Sequence, residues 1–463
     1  MQRRHIWRLF LLKIKFGMKN MISFFLLINI LPFSAVAQHC HDNFLGTKAL
    51  YTSPDQKYTP APVGYAPVFI DHVGRHGARH LTKDVKTTQA YRLLLKADSI
   101  NELSAKGKQL KQMVIALLKI EKGNTKFISA EGRDELRGLG ERMYLNYPTV
   151  FHKNLSISVA TTKEIRTKQS ADAFLEGLNS KLKDTAPAKF YNDDSALRFY
   201  DLSPAYKTFE NKVDSSTIML GFEKTNGFAT LNKAVVNRIF TARFVQDLSQ
   251  EQQAKFVADV FGFVAIVYSL NTEIRQAGYE SNGLNFDSFF TCNELEKLGE
   301  SDSLNENLKK GPGQDVNGIQ VRVAVPLLVD FLNTSDEFLK TGNYNACLRF
   351  AHAETMAPFA ALLQIASADQ VIKHTSKVTA GWKPSEVIPL SANIQWVFYK
   401  RSDKPGYMVK VLLNEKEERI DGVDGRTFPY YRWNNLRAFY LAKLKKLNVT
   451  LSDNMNAYLT NLK

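Results

Sequence analysis

Cysteine is scarce in this chain of 463 residues, which has three, at positions 40, 292 and 347. So small and odd a number excludes a small scaffold held together by disulfide bonds, and it leaves at least one thiol unpaired. Cys347 falls in a predicted strand, where a buried and inert thiol is expected. A bond between Cys40 and Cys292 is an option that the sequence leaves open.

Acidic residues are also in the minority, since 46 aspartates and glutamates stand against 61 lysines and arginines, for a net charge of +15. A basic balance of this kind occurs in nucleic-acid-binding proteins. The chain has neither a basic stripe interleaved with aromatic residues nor a nucleic-acid-binding motif, so no nucleic-acid partner is expected. Attraction of a small polyphosphorylated molecule explains the charge more economically.

Long apolar runs are missing after the first 37 residues, and none approaches the roughly 18 residues of a membrane span. Residues 1–37 have the pattern of a secretory signal peptide, with a basic lead, an apolar stretch at 21–31 and an Ala-Val-Ala cleavage site before Gln38. Met18 is an alternative start, and an uncleaved anchor is the alternative interpretation. We expect a periplasmic or secreted protein with no stable membrane insertion after cleavage.

The rest of the chain shows no repeats or low-complexity tracts, and its hydrophobic content of 44% fits a globular protein. Strand and helix patterns alternate through its first part and return near the C-terminus, which is typical of an α/β fold. The clearest helices of the first part are predicted near residues 87–99, 103–119 and 130–146. Two C-terminal strands, predicted to form a hairpin, lie near residues 393–399 and 407–413.

The middle of the chain has a different pattern. Residues 181–343 are predicted to be helical and irregular, with the clearest helix at 257–274. This pattern indicates an inserted, mostly helical cap domain. We therefore predict an α/β core, a mixed sheet flanked by helices, that is formed by residues 45–180 and 344–463.

Residues 68–80, VFIDHVGRHGARH, place two arginines and three histidines at the end of a short apolar run. The run is predicted to be a buried strand, and charged groups rarely pack against the end of such a strand unless something binds there. Arg75 and Arg79 flank His76 in the sequence. Guanidinium groups suit phosphate oxygens, and a neutral imidazole nitrogen can attack phosphorus. Gly77 removes a side chain where a ligand would approach closely.

Two other interpretations fit this segment less well. His72, His76 and His80 are spaced to line one face of a helix as metal ligands. Two glycines weaken a helix there, and two arginines would repel a cation, so no metal is expected. The other alternative is a solvated basic loop without a function.

A second cluster lies far along the chain. Residues 346–351 are predicted to form a strand, His352 and Glu354 follow it, and a helix is predicted over 355–365 with Thr355 as its N-cap. Strand ends of an α/β sheet converge on one crevice, and a helix N-terminus favours an anion. Beside a phosphate a carboxyl group is useful as a proton donor, which makes Glu354 a candidate acid. A glutamate that only complements the helix dipole is the alternative.

Further cations are candidates for the same site. Residues 157–162 are predicted to form a third strand, with Arg166 in the loop after it and a helix starting at 170–178. Arg166 would then be another cation at a strand end, with a surface arginine as the alternative. Lys309 and Lys310 would supply cap cations, with a solvated loop as the alternative.

Taken together, these segments resemble the histidine phosphatase superfamily. Residues 75–79, RHGAR, are similar to its RHGxR signature. The HAE tripeptide at 352–354 resembles the multiple inositol-polyphosphate phosphatase group within the acid-phosphatase branch, which also includes phytases. Residues 128–140 and 161–178 resemble two further motifs, and the likeness extends in matching order over residues 50–430.

The resemblance implies the family's fold, a mixed sheet flanked by helices with a helical insertion, and catalysis through a phosphohistidine. His76 would attack phosphorus, and Glu354 would protonate the leaving oxygen. Neither a metal nor a cofactor is implied, because arginines neutralise the charge of the transferred group. The residues that would hold the phosphate oxygens are Arg75, Arg79, Arg166 and His352.

The expected activity is the hydrolysis of phosphate monoesters, with inositol polyphosphates such as phytate as substrates. The same chemistry on sugar phosphates or bisphosphoglycerate is one alternative. A non-catalytic protein that binds a phosphate ligand is another, although the presence of both His76 and Glu354 argues against it. The sequence leaves the order of phosphate removal and the oligomeric state open.

Overall fold

The computed structural model describes residues 40, 42–55, 57–152, 155–214, 216–280, 283–372 and 381–463. The predicted signal segment, residues 1–37, lies outside the described residues. A mixed sheet of eight strands organises the described part of the chain. Its strands are β1 Tyr65–Arg75, β2 Ile157–Thr161, β3 Ala188–Asn192, β4 Ala346–Ala351, β5 Asn393–Arg401, β6 Tyr407–Leu413, β7 Lys416–Glu417 and β8 Tyr430–Arg432.

Strand β1 lies near the middle of this sheet, whose order is β3-β2-β4-β1-β5-β6-β7, with β8 paired to β6. β1 pairs in parallel with β4, where Arg75 lies opposite Ala351, and antiparallel with β5. β4 pairs in parallel with β2, and β5 with β6 forms the predicted C-terminal hairpin. Because β1, β2 and β4 run in one direction, the residues that follow them meet at one edge of the sheet.

The central strands are buried without alternation, as strands covered by helices on both faces require. Every residue of β4 is buried, and so is β1 from Phe69 to Arg75. Three charged residues are included in this burial, Asp71, Arg75 and Arg349. Asp71 on β1 forms an ion pair with Arg349 on β4. Arg349 also contacts Asp330 at 2.6 Å. Burial raises the pKa of Asp71 to about 7 in spite of the charge of Arg349.

Helices cover both faces of the sheet and form a further layer beside it. The α-helices are α1 Gln89–Ser99, α2 Ala105–Ile120, α3 Ala130–Asn146, α4 Ile165–Asn179, α5 Asp194–Leu197, α6 Phe199–Leu202, α7 Pro204–Val213, α8 Thr217–Thr225, α9 Phe228–Ile239, α10 Ala242–Gln246, α11 Gln250–Val267, α12 Asn271–Gln276, α13 Cys292–Lys310, α14 Ile319–Arg322, α15 Val325–Thr341, α16 Ala353–Leu362, α17 Pro384–Val387, α18 Trp433–Lys446 and α19 Met455–Asn461.

Hydroxyl side chains fix where the first three helices begin. The side-chain oxygens of Thr88, Ser104 and Ser129 each accept a hydrogen bond from a backbone N–H three residues further on. Such caps satisfy donors that the first turn of a helix leaves free. The three helices predicted in this part of the chain are confirmed, with starts displaced by no more than two residues.

Three apolar cores hold the layers together. Phe69 and Ile70 are neighbours on β1 and point to opposite faces of the sheet, as successive residues of a strand do. Phe69 packs in the core that contains residues of α15, α16 and α18, and Ile70 in the core that contains residues of α3 and α4. The third core lies among α1, α2, α9, α11 and α13.

Two helices next to the predicted site begin earlier than the sequence pattern indicates. α4 begins at Ile165, so Arg166 lies in its first turn and not in the preceding loop. α16 begins at Ala353 with His352 as its N-cap, so the prediction of Thr355 as the N-cap is wrong. Thr355 is already engaged elsewhere, because its hydroxyl donates to the carbonyl oxygen of Leu197 at 2.6 Å.

The division into a core and a cap at residues 181 and 343 stays a prediction. β3 lies inside the predicted cap range but pairs with β2 at the edge of the sheet, and α15 packs in the core beside Phe69. Conversely, α1 and α2 lie in the predicted core range but pack with α9 and α11. The helical layer is therefore built from two separate parts of the chain.

Cys40 and Cys292 form a disulfide bond, and Cys347 is free and buried. The bond attaches the segment before β1 to the first residue of α13. A short 3-10 helix, Asp42–Lys48, follows Cys40, and the carbonyl oxygen of its Thr47 accepts a hydrogen bond from Arg75 at the end of β1. The pairing that the sequence left open is thus present in the structure.

One stretch of the described residues, Gln250–Gln276, is long and apolar enough to cross a membrane. Of its most apolar window, 67% is buried inside the protein. The core helix of a soluble protein satisfies the same two criteria of length and composition.

Candidate active site

Close packing of backbone on backbone places the segment after β1 against α3. A Cβ atom at Gly77 would lie 2.6 Å from the carbonyl oxygen of Gly132, and one at Gly132 would overlap the carbonyl oxygen of Ala78. The two glycines therefore allow an approach that any side chain would prevent. Glu135 on α3 fixes the same segment, because it accepts hydrogen bonds from the Ala78 N–H at 2.9 Å and the Ser391 hydroxyl at 2.7 Å.

His76 follows the last residue of β1, and its side chain is buried. Its backbone N–H donates to the carbonyl oxygen of Ala351 at 3.0 Å, which joins the ends of β1 and β4. Nδ1 of the ring lies 2.9 Å from the carbonyl oxygen of Gly77. A carbonyl oxygen only accepts, so Nδ1 carries the ring proton, and Nε2 retains a free lone pair.

Three guanidinium groups supply positive charge around this ring. Nη1 of Arg75 donates to the backbone carbonyl oxygens of Thr47 at 2.5 Å and Ile388 at 2.7 Å. The Nε–H groups of Arg75, Arg79 and Arg166 are all buried without a hydrogen-bond partner among the described residues. Buried donors of charged groups are costly when unpaired. Their presence at one edge of the sheet indicates a place for an anion.

The electrostatics of His76 show that these groups are close to one another. Burial lowers the pKa of His76 well below its usual range, and the charges of Arg75, Arg166 and Arg79 lower it further. Burial, followed by the charges of Arg75 and Arg166, also lowers the pKa of Arg79 to about 10. The imidazole of His76 is therefore neutral in mild acid, and its Nε2 is available as a nucleophile.

A chain of hydrogen bonds orients His352 at the end of β4. Nη2 of Arg166 donates to Nδ1 of His352 at 3.1 Å, so Nε2 carries the proton and donates to the Thr162 hydroxyl at 3.0 Å. The Thr162 hydroxyl also contacts the Thr167 hydroxyl at 3.1 Å. Burial, followed by the charge of Arg166, lowers the pKa of His352 to about 3. Its ring centroid is 5.5 Å from that of His76.

A carboxylate holds Arg166 in place. Glu164 accepts a hydrogen bond from Nη1 of Arg166 at 2.8 Å, and its other oxygen accepts one from Nη1 of Arg198 at 2.8 Å. Although burial acts to raise it, the hydrogen bond from Arg198 and the charge of Arg166 lower the pKa of Glu164 to about 2. Glu164 therefore stays ionised in mild acid and bridges the two arginines.

Glu354 lies in the first turn of α16 with 32% of its side chain exposed, so a ligand can reach it. Oε1 of Glu354 accepts a hydrogen bond from Nζ of Lys310 at 2.9 Å. Burial acts to raise the pKa of Glu354, but the charge of Lys310 and the hydrogen bond that it donates prevail and lower the pKa well below its usual range. In the free protein this carboxyl group is therefore ionised.

The three regularly spaced histidines do not form a metal site. His72 packs between Phe174 and Phe350, with ring centroids 5.4 and 5.6 Å away. His80 lies between two carboxylates on helices elsewhere, whereas His76 lies at the strand end. The segment is a strand and a loop and not a helix, so the three rings point in different directions. Within the described ranges, no group of three or more His, Cys, Asp or Glu side chains is arranged to hold a metal ion.

A cleft of about 140 Å³ opens beside the arginines. Arg75 and Arg79 line it from the sheet, and Gly262 and Ile266 line it from α11 in the helical layer. Lys48, at the end of the first 3-10 helix, lies at this cleft and forms an ion pair with Asp302 at 3.4 Å. A ligand held by the arginines would thus extend between the sheet and the helical layer.

The structure brings together the six residues that the sequence predicts for catalysis and phosphate binding. Of the two candidate cap cations, Lys310 contacts Glu354, whereas Lys309 pairs with Asp214. The sequence did not predict several residues that support the six, and these residues differ in whether a motif surrounds them. Glu135 and Glu164 lie within or beside the segments that resemble family motifs, but nothing in their spacing indicates a role. Arg198 has no motif around it. The predicted residues that lie together are His76, Glu354, Arg75, Arg79, Arg166 and His352.

The site combines a neutral imidazole, buried arginines and a nearby carboxyl group. This combination is typical of phosphate-transfer enzymes that work through a histidine. The family model described as histidine phosphatase superfamily (branch 2) matches residues 69–414, which include both strand-end clusters. The chain belongs to this superfamily.

Known relatives agree with this assignment. Multiple inositol polyphosphate phosphatase 1 of Gallus gallus is 22% identical over 458 residues, covering 91% of this chain and 97% of the relative. The Bifidobacterium longum multiple inositol polyphosphate phosphatase, in complex with inositol hexasulfate, aligns with a TM-score of 0.70 and 21% identity over 87% of this chain and 97% of that one. The phytase from D. castellii aligns with a TM-score of 0.60 and 16% identity over 91% of each. These structures share the fold of this chain.

The buried neutral ring of His72 makes the protein sensitive to acid. Burial, followed by the charge of Arg349, lowers the pKa of His72 to about 3 from 6.5. As the pH falls from 6.5 towards 3 the unfolded chain binds a proton here that the folded chain does not, so stability falls with pH. We expect His72→Leu to lose less free energy of unfolding between pH 7 and pH 4 than the wild type, by up to about 3 kcal/mol.

Denaturant unfolding at the two pH values measures this difference, and activity at pH 7 checks that the site is intact. Equal losses in both proteins would show that the His72 ring does not contribute to the acid sensitivity.

Proposed function

We propose that this protein is an exported, metal-independent phosphatase that hydrolyses inositol polyphosphates, phytate among them, through a phosphohistidine on His76. The observation that carries this proposal is the set of buried guanidinium Nε–H donors without partners, on Arg75, Arg79 and Arg166, beside a neutral imidazole. A dianionic phosphate group satisfies these donors and presents phosphorus to Nε2.

In the first step, Nε2 of His76 forms a bond to phosphorus while the P–O bond to the inositol oxygen breaks. The arginines hold the phosphoryl oxygens and neutralise their charge, and His352 orients the guanidinium group of Arg166 through its Nδ1. A proton on the carboxyl group of Glu354 passes to the leaving oxygen, which departs as an alcohol. Glu354 is then a carboxylate and His76 carries the phosphoryl group.

In the second step, water attacks phosphorus and the P–N bond breaks, so its electron pair returns to Nε2 of His76. The carboxylate of Glu354 accepts a proton from the attacking water. Phosphate leaves, and the imidazole is neutral again. The same carboxyl group thus acts first as an acid and then as a base.

The choice of inositol polyphosphates is supported by charge and by the named relatives. Residues 1–37 hold six of the 61 basic residues and no acidic residue, so the chain without them still carries 61 − 6 = 55 basic against 46 acidic residues. Such a balance attracts a polyanion. Relatives that match nearly the whole chain are named for inositol polyphosphates, and one is in complex with inositol hexasulfate. Sugar phosphates and bisphosphoglycerate are the competing substrates in the test below.

Export is supported by two features. The first 37 residues have a basic lead, an apolar stretch and a cleavage site. The disulfide bond between Cys40 and Cys292 suits an oxidising compartment outside the cytosol. We expect sequencing of the mature protein to start at Gln38, and a protein that retains residues 1–37 would contradict cleavage.

The nucleophile and the substrate are tested together. Purified protein is incubated with phytate, sugar phosphates and bisphosphoglycerate, and released phosphate is followed with and without EDTA. We expect phytate to be the best substrate, EDTA to have no effect, and a base-stable phosphoryl group to form on the protein. His76→Ala should abolish turnover and the phosphoprotein while leaving the fold intact.

Release of phosphate at the wild-type rate by His76→Ala would remove His76 from the mechanism. Loss of activity in EDTA with recovery on adding Zn²⁺ would show that a metal is needed. Tight binding of phytate without release of phosphate would identify a binding protein.

The acid role of Glu354 predicts a difference between two substrates. An inositol oxygen needs a proton to leave, whereas nitrophenolate hardly does. We therefore expect Glu354→Gln to lower the rate on phytate by about two or more orders of magnitude, within the usual range for general acid catalysis. The same substitution should lower the rate at which p-nitrophenyl phosphate forms the phosphoenzyme by a much smaller factor. Equal losses in both would show that Glu354 is structural and that the proton comes from elsewhere.

A further inference from the structure

Lys310 is a buried cation that the steps above do not use. It is the last residue of α13, in the helical layer, and 7% of it is exposed. Its Nζ contacts Oε2 of Glu306 at 2.7 Å and Oε1 of Glu354 at 2.9 Å. A lysine is rarely buried unless it is paired. Here one of its two partners is the carboxyl group that must transfer protons during the reaction.

The ion pair with Lys310 creates a difficulty for the acid role of Glu354. A carboxyl group that accepts a hydrogen bond from a buried ammonium is ionised and has no proton to give. The same state is the one that the second step needs, because a base must be ready to accept a proton from water. Lys310 therefore favours one of the two roles of Glu354 and opposes the other.

A polyanionic substrate resolves this conflict. Its phosphate groups bring negative charge to Arg75 and Arg79, both of which also act electrostatically on Glu354. Negative charge nearby favours the protonated form of a carboxyl group. The proton is available from solvent or from a singly protonated phosphate group, whose second ionisation lies near pH 6. Glu354 is therefore loaded with its proton when substrate binds, and it is ionised again once the inositol product has left.

Resting on the proposed function, we propose that Lys310 is a positioning residue that keeps Glu354 ionised whenever the cleft holds no polyanion, and that it thereby prepares this carboxyl group to act as the base that hydrolyses the phosphohistidine. Lys310 itself makes no bond to the substrate and transfers no proton in either step.

Other groups act on Glu354 from the surrounding elements, and they limit how far Lys310 alone determines the charge of Glu354. From its own helix cap, His352 is neutral at mild pH and changes little there. From α6 and α7, two buried tyrosines have a pKa raised by burial and stay neutral. The arginines keep their charge throughout. The charged and titratable groups that face Glu354 are Lys310, Glu306, His352, Arg75, Arg79, Tyr200 and Tyr206.

The test measures how phosphoenzyme decay depends on pH. p-Nitrophenyl phosphate phosphorylates His76 without help from an acid, and rapid quenching in base then follows the loss of the phosphoryl group. An opposite charge at this distance shifts a carboxyl pKa by about 1–3 units. In Lys310→Met we therefore expect the acid limb of decay to move to higher pH by about one unit or more, so that at a pH on the acid limb of both proteins the variant decays about tenfold more slowly than the wild type, or slower still.

Lys309→Met is the matched control. Lys309 is the neighbouring residue of the same helix, but its Nζ contacts Asp214 at 2.7 Å and not Glu354. The phosphoenzyme of Lys309→Met should decay with the same dependence on pH as that of the wild type. In the double variant Lys310→Met with Glu306→Gln, the second substitution removes the charge that the loss of Lys310 would leave unpaired. Its phosphoenzyme should decay with the acid limb displaced as in Lys310→Met. It keeps the test valid if Lys310→Met alone fails to fold.

A wild type that forms no phosphoenzyme and releases no phosphate overturns the proposed function itself. If the wild type is active, a Lys310 variant whose decay is slower by the same factor at every pH overturns this inference, because a displaced helical layer would have that effect. An unchanged profile in the variant overturns it as well. A displaced acid limb in the Lys310 variants, with a normal profile in Lys309→Met, supports it.

Discussion

The parallel pairing of β1 with β4 is the constraint on which the site depends. It joins two segments from opposite parts of the chain, and it ends with the hydrogen bond from the His76 N–H to Ala351 at 3.0 Å. The strands are buried on both faces, and a shift in their register would separate the buried ion pair of Asp71 with Arg349. The spacing between His76 and His352 is therefore set by the interior of the sheet.

Around this fixed edge, the cations differ in their partners. Arg166 has a carboxylate partner in Glu164, which holds it in a defined orientation. Its Nε–H, like those of Arg75 and Arg79, has no partner within the described part of the chain. Lys310 differs from the arginines, since both of its contacts are with carboxylates and one of these belongs to Glu354. The donors left for an anion and the cation paired with Glu354 therefore belong to different side chains in one small volume.

The sequence predicts β1, β2, β4, β5 and β6, the first three helices and the six central site residues, because these depend on local patterns and on short motifs with a resemblance to a known family. It does not predict β3, β7 and β8, or the individual bounds of most helices between residues 181 and 343. It places Arg166 in a loop and the start of α16 at Thr355, because strand passes into helix there almost without a connecting loop. Contacts between distant segments were not predictable. Glu164 with Arg198 and Lys310 with Glu354 are such contacts, and so is the packing of α1 and α2 with α9 and α11.

The way in which Arg75 is held has a consequence for the divergence of such proteins. Its guanidinium group donates to the backbone carbonyl oxygens of Thr47 and Ile388 and to no side chain at these positions. Every amino acid has a backbone carbonyl group, so substitutions at either position leave this orienting contact available. Comparison of sequences would not detect the two positions as part of the site. A phosphate-binding arginine supported in this manner can keep its orientation while the residues around it change.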